Sequence, residues 1–240
     1  MHKRNGTTDR RDGNATTQRL TATDQVRGLW ESLRPYQWSK NLLVFGGLIF
    51  SGNLADPRSC LLSVLAFVIF CALTSAGYIL NDLLDVSSDR HHPLKQNRPL
   101  AAGRVSPALA AGVMAGLAAA ALFGAAALSR PFLATVVGYA VLSVAYTVYL
   151  KRLMIVDVLA LSFGFVLRAI AGAAVLEIEP SSWLVICTMM LALLVGFGKR
   201  RAEVILLGDE ASRHRSTLER YTVDFLDTMT LLSAGVGFLS

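Results

Sequence analysis

The sequence predicts an all-α, polytopic membrane helix bundle, and three observations predict it. Of the 240 residues, 53% are hydrophobic and only 17% charged, against about a quarter charged in an ordinary soluble domain. The apolar residues fall in blocks near the ~20 that a membrane-spanning helix needs. The basic residues crowd alternate connections between those blocks, as the positive-inside rule requires of a chain that crosses repeatedly.

In chain order, residues 1–26 are polar and rich in Thr, Arg, Asp and Gly. They lack the apolar core of a signal peptide and read as a disordered cytoplasmic tail. Residues 27–41, "RGLWESLRPYQWSKN", mix aromatics with charges, which suits an interfacial helix with Trp30, Tyr36 and Trp38 at headgroup level and Pro35 bending the chain. Residues 42–52 form a short apolar run. Residues 59–80, 107–128, 131–150, 153–176 and 181–198 each have the length of a span, and 222–240 begin another, giving about seven. Ser106-Pro107, Ser129 with Pro131, and Pro180-Ser181 read as helix starts. Gly112, Gly116, Ala120 and Gly124 repeat every four residues, a small-residue ridge for close helix packing. The chain stops inside the apolar "LLSAGVGFLS", so residues 27–240 are expected to be a C-terminally incomplete membrane domain. No internal repeat is visible.

Charge placement fixes an orientation for this reading. Of 23 Lys and Arg, eight lie in residues 1–40, four in 82–105, two at Lys151 and Arg152, and six in 199–220. The opposite connections hold only Arg58 and Arg130. The N-terminus and the loop after residue 80 are therefore expected on the cytoplasmic side of the membrane. Anionic lipid headgroups account for the net charge of +6 without nucleic acid. Cys60, Cys71 and Cys187 have neither metal spacing nor a disulfide pattern.

The chemistry concentrates where the second span ends. "NDLLDVSSDR" places Asp82, Asp85 and Asp89 at spacings of three and four, which on a continuing helix puts the carboxylates on one side with Asn81 and Tyr78 beside them. Clustered carboxylates repel unless a cation sits among them, and Mg2+ takes such oxygens while keeping waters for phosphate to replace. "RHHPLKQNRPLAAGR" follows with Arg90, His92, Lys95, Arg98 and Arg104, the residue types that grip phosphate. A second edge, "YTVYLKRLMIVD", offers Tyr146, Lys151 and Asp157. A third offers Lys199, Arg200, Glu203, Arg213 and Arg215. Arg168 lies inside a span, 11 residues beyond Asp157, and requires either a partner on another helix or an anionic ligand.

These segments resemble a known family. "NDLLDVSSDR" is similar to the first aspartate motif of the UbiA-type prenyltransferase superfamily, membrane enzymes of nine helices that bind a diphosphate through Mg2+. "LRPYQWSKNLLVF", "DRHHPLKQNRPLAAG", "YLKRLMIVDVLALSFGFVLRAIAGA" and "GKRRAE" resemble its decaprenyl-phosphate phosphoribosyltransferase branch. The resemblance implies transfer of 5-phosphoribosyl from phosphoribosyl pyrophosphate to a polyprenyl phosphate, making a cell-wall arabinan precursor. It implies Mg2+ on Asn81, Asp82, Asp85 and Asp89, with the three aspartates catalytic. Substrate contacts would come from Lys40, Tyr78, Lys95, Arg98, Tyr146, Lys151, Asp157, Lys199, Arg200 and Glu203. Where the superfamily has a second aspartate motif, this chain reads "KRRAE", which favours phosphoribosyl over aromatic prenyl transfer, the nearest competing activity. A transporter is a distant third, because the charges gather at one edge rather than through the membrane depth. The reading neither requires nor excludes a homo-oligomer.

Overall fold

The computed structural model describes residues 21–207 and 221–239, and among them all regular structure is helical. Helix α1 (Ala22–Leu33) begins inside the stretch read as a tail, with the Thr21 hydroxyl oxygen accepting from the Asp24 N–H at 3.1 Å. It stops at Arg34, which precedes Pro35 and adopts a left-handed φ of 53°. A proline ring disfavours the right-handed helical region for the residue before it, so the helix cannot run on. The chain turns into a 3-10 helix, Pro35–Phe45, and then a short α2, Gly46–Phe50.

Five helices have the length and composition of membrane spans: α3 (Pro57–Asp89), α4 (Pro107–Leu128), α5 (Arg130–Val148), α6 (Val156–Val175) and α7 (Ser182–Leu207). The protein is thus a multi-pass membrane protein. The last apolar run forms α8 (Val223–Leu239), 17 residues long. The run at 42–52 is not one helix: it divides between the end of the 3-10 helix and α2, and closes at Gly52, whose φ is 72°.

The starts follow the sequence signals. Asp56 accepts from the N–H groups of Arg58 and Ser59 ahead of α3, Ser106 from Leu109 ahead of α4, and Ser129 from Phe132 ahead of α5. Proline near each start costs nothing, because those N–H groups have no partner in the helix. Ser129 also donates to the Ala174 carbonyl at 3.1 Å, tying the α4–α5 corner to α6.

Each long helix packs on the next, and α3 and α6 form the centre with the 3-10 helix and α2 laid against them. In α6, 67% of the apolar window is buried, against 11% in α7. Close crossing needs Gly172: a Cβ there would stand 1.9 Å from the Val44 carbonyl oxygen. The predicted ridge on α4 is different. A Cβ on Gly112 or Gly116 would meet nothing within 4 Å, and only Gly124 approaches a neighbour, Ile69. The buried positions are instead Ala110, Ala121 and Ala125.

Helix α3 has 33 residues, about 50 Å of rise against a hydrocarbon core of about 30 Å. Its last turns, which carry "NDLLDVSSD", therefore project past the apolar window. Leu29 and Leu33 of α1 pack with Ile79, Leu100, Val105 and Ala110, which seats α1 and the 90–105 loop beside those turns.

Candidate active site

The three aspartates lie on consecutive turns of one helix end, but they divide into two directions. A helix advances about 100° per residue, so Asp89 falls about 20° from Asp82, whereas Asp85 falls about 40° from Asn81. Asp82 and Asp89, each 2% exposed, meet on one nitrogen. Arg98 Nη1 donates to Asp82 Oδ1 at 3.1 Å and to Asp89 Oδ2 at 2.6 Å. Arg34 Nη2 donates to the same Asp82 oxygen at 2.6 Å, its guanidinium 5.0 Å over the Tyr78 ring. Asp85, half-buried, receives Lys151 Nζ on both oxygens at 3.0 and 2.9 Å, and that ammonium also donates to Asn81 Oδ1 at 3.3 Å.

The two arginines arrive from packed, not dangling, segments. A Cβ on Gly28 would stand 2.6 Å from Val105 Cγ2, so α1 lies close on the loop. Arg104 joins them again by donating to Glu31 at 2.6 Å, and this hydrogen bond holds the Glu31 carboxyl below its ordinary pKa. Within the loop, Arg90 Nε donates to the Ala101 carbonyl and the Arg104 N–H to Pro99. Arg34 at the end of α1 and Arg98 in the loop are thereby presented to one carboxylate. Sequence reasoning missed Arg34; its only local signal is its place directly before Pro35.

Among the described residues no three His, Cys, Asp or Glu side chains close on a single point. The donor set nevertheless suits a hard cation. Asn81 and Asp85 put three oxygens within 3.3 Å of one positive nitrogen, and Asp82 and Asp89 put two about another. Two or three protein oxygens, the rest left to water and phosphate, is the way Mg2+ is ordinarily held. The residues fit that ion at two positions rather than at one three-acid cluster.

The third edge is built differently from the expectation. Asp157 (0% exposed) and Arg200 (3%) are paired, Nε to Oδ2 at 2.9 Å, and offer no surface to a substrate. Tyr221 completes the pair by donating to Asp157 Oδ1 at 2.8 Å, and Arg200 Nη1 donates to Glu203 at 2.6 Å. Tyr146 lies within electrostatic reach of Arg200. Arg201 pairs with Asp227 and joins α7 to α8. Lys40 feels the charges of Arg34, Arg168 and Lys199; Lys40 and Lys199 are both exposed and Lys95 is half-buried. Arg213 and Arg215 lie outside the described residues.

Arg168 finds neutral partners. Its Nε donates to Asn41 Oδ1 at 2.8 Å, Nη1 to the Gly164 carbonyl at 2.9 Å and Nη2 to the Tyr139 hydroxyl at 2.6 Å. The faces of Tyr139 and Phe165 lie 4.8 and 5.2 Å away. Asn41 in turn donates to Thr74 Oγ1 and Cys71 Sγ. The arginine thus fastens the 3-10 helix, α5 and α6 together beside α3.

Comparison with known proteins identifies the family. Residues 42–218 match the UbiA prenyltransferase family. Over 211 residues the chain is 36% identical to the decaprenyl-phosphate phosphoribosyltransferase of Corynebacterium glutamicum, covering 86% of this chain and 64% of that protein. It is also 36% identical over 213 residues to the protein of the same name from Mycolicibacterium smegmatis, covering 87% and 67%. The chain therefore spans about two thirds of the length of these relatives. Among solved structures, a UbiA homolog from Archaeoglobus fulgidus bound to DMAPP and Mg2+ superimposes with a TM-score of 0.67 at 20% identity, covering 88% of this chain and 78% of that one. A GPP- and Mg2+-bound structure of a UbiA homolog from the same organism gives 0.63 at 17% identity, covering 88% and 86%. The fold, the aspartate-bearing helix end and the extent of the match lead to one conclusion: the chain belongs to the UbiA prenyltransferase family.

Proposed function

We propose that the protein transfers a 5-phosphoribosyl group from phosphoribosyl pyrophosphate to a polyprenyl phosphate at the cytoplasmic face, releasing pyrophosphate. The observation that supports a diphosphate substrate is that Asn81, Asp82, Asp85 and Asp89 stand among Arg34, Arg98 and Lys151 at one helix end. The names of the 36%-identical relatives support the same reaction.

In this reading Asp82 with Asp89, and Asp85 with Asn81, would hold Mg2+, and the ion would supply charge neutralisation for a departing pyrophosphate. The basic residues are the second half of the site. When a diphosphate is present, Arg34, Arg98 and Lys151 exchange carboxylate oxygens for phosphate oxygens, and preorganised cations count most where negative charge develops. The bond from the anomeric carbon to the pyrophosphate oxygen breaks, with the electron pair leaving on pyrophosphate. A lipid-phosphate oxygen forms the new bond to that carbon. A phosphate monoester is already largely dianionic near pH 7, its second pKa being about 6, so no side chain has to act as general base.

The experiment is pyrophosphate release by the purified protein in lipid, with phosphoribosyl pyrophosphate and Mg2+, with and without polyprenyl phosphate. Release that depends on the lipid phosphate is expected. Release from a prenyl diphosphate on adding an aromatic acceptor, with none from phosphoribosyl pyrophosphate, would transfer the protein to the aromatic prenyltransferases.

A further inference from the structure

The seven-residue turn between α5 and α6 carries a strained backbone. Ile155 has φ 67° and ψ −49°, and the Val156 N–H donates to the Met154 carbonyl across it at 2.7 Å. This is a γ-turn of the positive-φ kind, which is rare and strained, and a β-branched residue at positive φ is an outlier in its own right. Such a conformation persists only where its surroundings hold it.

What holds it comes from a distant part of the chain. The Ile155 N–H donates to the Tyr221 hydroxyl at 2.7 Å, and that hydroxyl donates onward to Asp157 Oδ1 at 2.8 Å. Asp157 is fixed from its other side by Arg200 at 2.9 Å. The Tyr221 ring, 4% exposed, packs with Val158, Phe197 and Leu226, with Ile155 against them. Four residues before Ile155, in the same turn, Lys151 reaches Asn81 and Asp85.

We infer that Tyr221 is a positioning residue: its hydroxyl fixes the Ile155 turn and thereby sets where Lys151 stands against Asn81 and Asp85. Tyr221, two residues before α8, thus controls where an ammonium stands in the turn that leads into α6. The catalytic consequence rests on the proposed transferase reading; the positioning itself does not.

The test uses the full chain in lipid nanodiscs and four proteins: wild type, Tyr221→Phe, Ile155→Gly and the double variant. Tyr221→Phe keeps the packed ring and removes only the hydroxyl. The first readout is the rate at which acetic anhydride labels Lys151, followed by mass spectrometry. Loss of the hydroxyl is expected to free the lysine and raise that rate about fivefold, given the strain released at Ile155. Glycine adopts positive φ without strain, so Ile155→Gly in the same chain is expected to return the rate towards wild type. A merely structural tyrosine would give no such rescue. The second readout is the KM for phosphoribosyl pyrophosphate, expected to rise about tenfold in Tyr221→Phe and to fall back in the double variant. Unchanged Lys151 labelling in Tyr221→Phe, or faster labelling that glycine does not reverse, overturns the inference. The expected labelling pattern without phosphoribosyl transfer by any of the four proteins supports the positioning and instead sinks the transferase reading.

Discussion

Asp82 and Asp85 are three residues apart on one helix, yet their surroundings assign them different sensitivities. Asp85 and Lys151 keep 30% and 21% of their side chains exposed, so water still screens this pair and it contributes about 1 kcal/mol to stability, less than a fully buried one. Asp85→Asn is therefore expected to fold with a melting temperature lowered by no more than about 4 °C, while transfer falls at least about 100-fold, a loss of the size seen when a charge-stabilising group is removed. Asp82 is buried, and Arg34 and Arg98 both end on it. Asp82→Asn keeps an accepting oxygen but removes the buried negative charge that faces two arginines, so it is expected to cost about 3 kcal/mol, the range for breaking a buried ion pair. Parallel thermal unfolding and transfer assays separate the two; equal destabilisation by both substitutions would refute the division. The acid motif was legible because carboxylates are costly at the end of an apolar run. Its split into two pairs needed helical phase, and Arg34 was illegible because its target lies 48 residues away.

At the level of elements, the small residues of α4 and α6 make opposite predictions. Gly172→Ala drives a Cβ onto the Val44 backbone, which cannot yield as a side-chain tip would, and is expected to cost about 1–3 kcal/mol. Gly112→Ala points into open space and, by helix propensity, is expected to be neutral or to gain up to about 1 kcal/mol. Melting temperatures in one detergent check both; a loss at Gly112 would restore the ridge read from sequence. The repeat at every fourth residue was visible, but which stripe of α4 meets α3 depends on tertiary packing that spacing does not encode. Tyr221 gives the pH dependence of the α7–α8 region. Burial first, and the hydrogen bond to Asp157, push its hydroxyl up to about 12 from an ordinary 10. Its contribution is complete below pH 10, where the phenol is neutral in both folded and unfolded chains. It fades as pH rises from 10 through 12, because ionisation then favours the unfolded chain. An ultraviolet titration is expected to lose one late-titrating tyrosinate in Tyr221→Phe relative to wild type; a late component of unchanged size would contradict this.

For the molecule as a whole, hydrophobic blocks and charge alternation were enough to read a helical membrane bundle, because lipid leaves the backbone no other way to satisfy its hydrogen bonds than helices or closed barrels. The first apolar run was the exception: it passes from 3-10 to α-helix at Gly46 and ends at Gly52, and the buried Asn41 just ahead of it serves Arg168. The same alternation supports the orientation proposed for the chain. In a background lacking Cys60, Cys71 and Cys187, a membrane-impermeant maleimide is expected to label Glu179→Cys in intact cells and Leu94→Cys only after lysis; the reverse order would invert the topology. Both positions are exposed, so labelling reports side rather than burial. With this orientation the aspartates, Arg34, Arg98 and Lys151 would face the cytoplasm, where the proposed phosphoribosyl donor is dissolved.

The central claim is tested most directly by the mass of the lipid product. The purified chain in nanodiscs, given phosphoribosyl pyrophosphate, decaprenyl phosphate and Mg2+, is expected to convert the lipid to a species heavier by one phosphoribosyl unit, and Asp85→Asn is expected not to. A lipid phosphate that keeps its mass, while a prenyl diphosphate is consumed on an aromatic acceptor, would contradict the account.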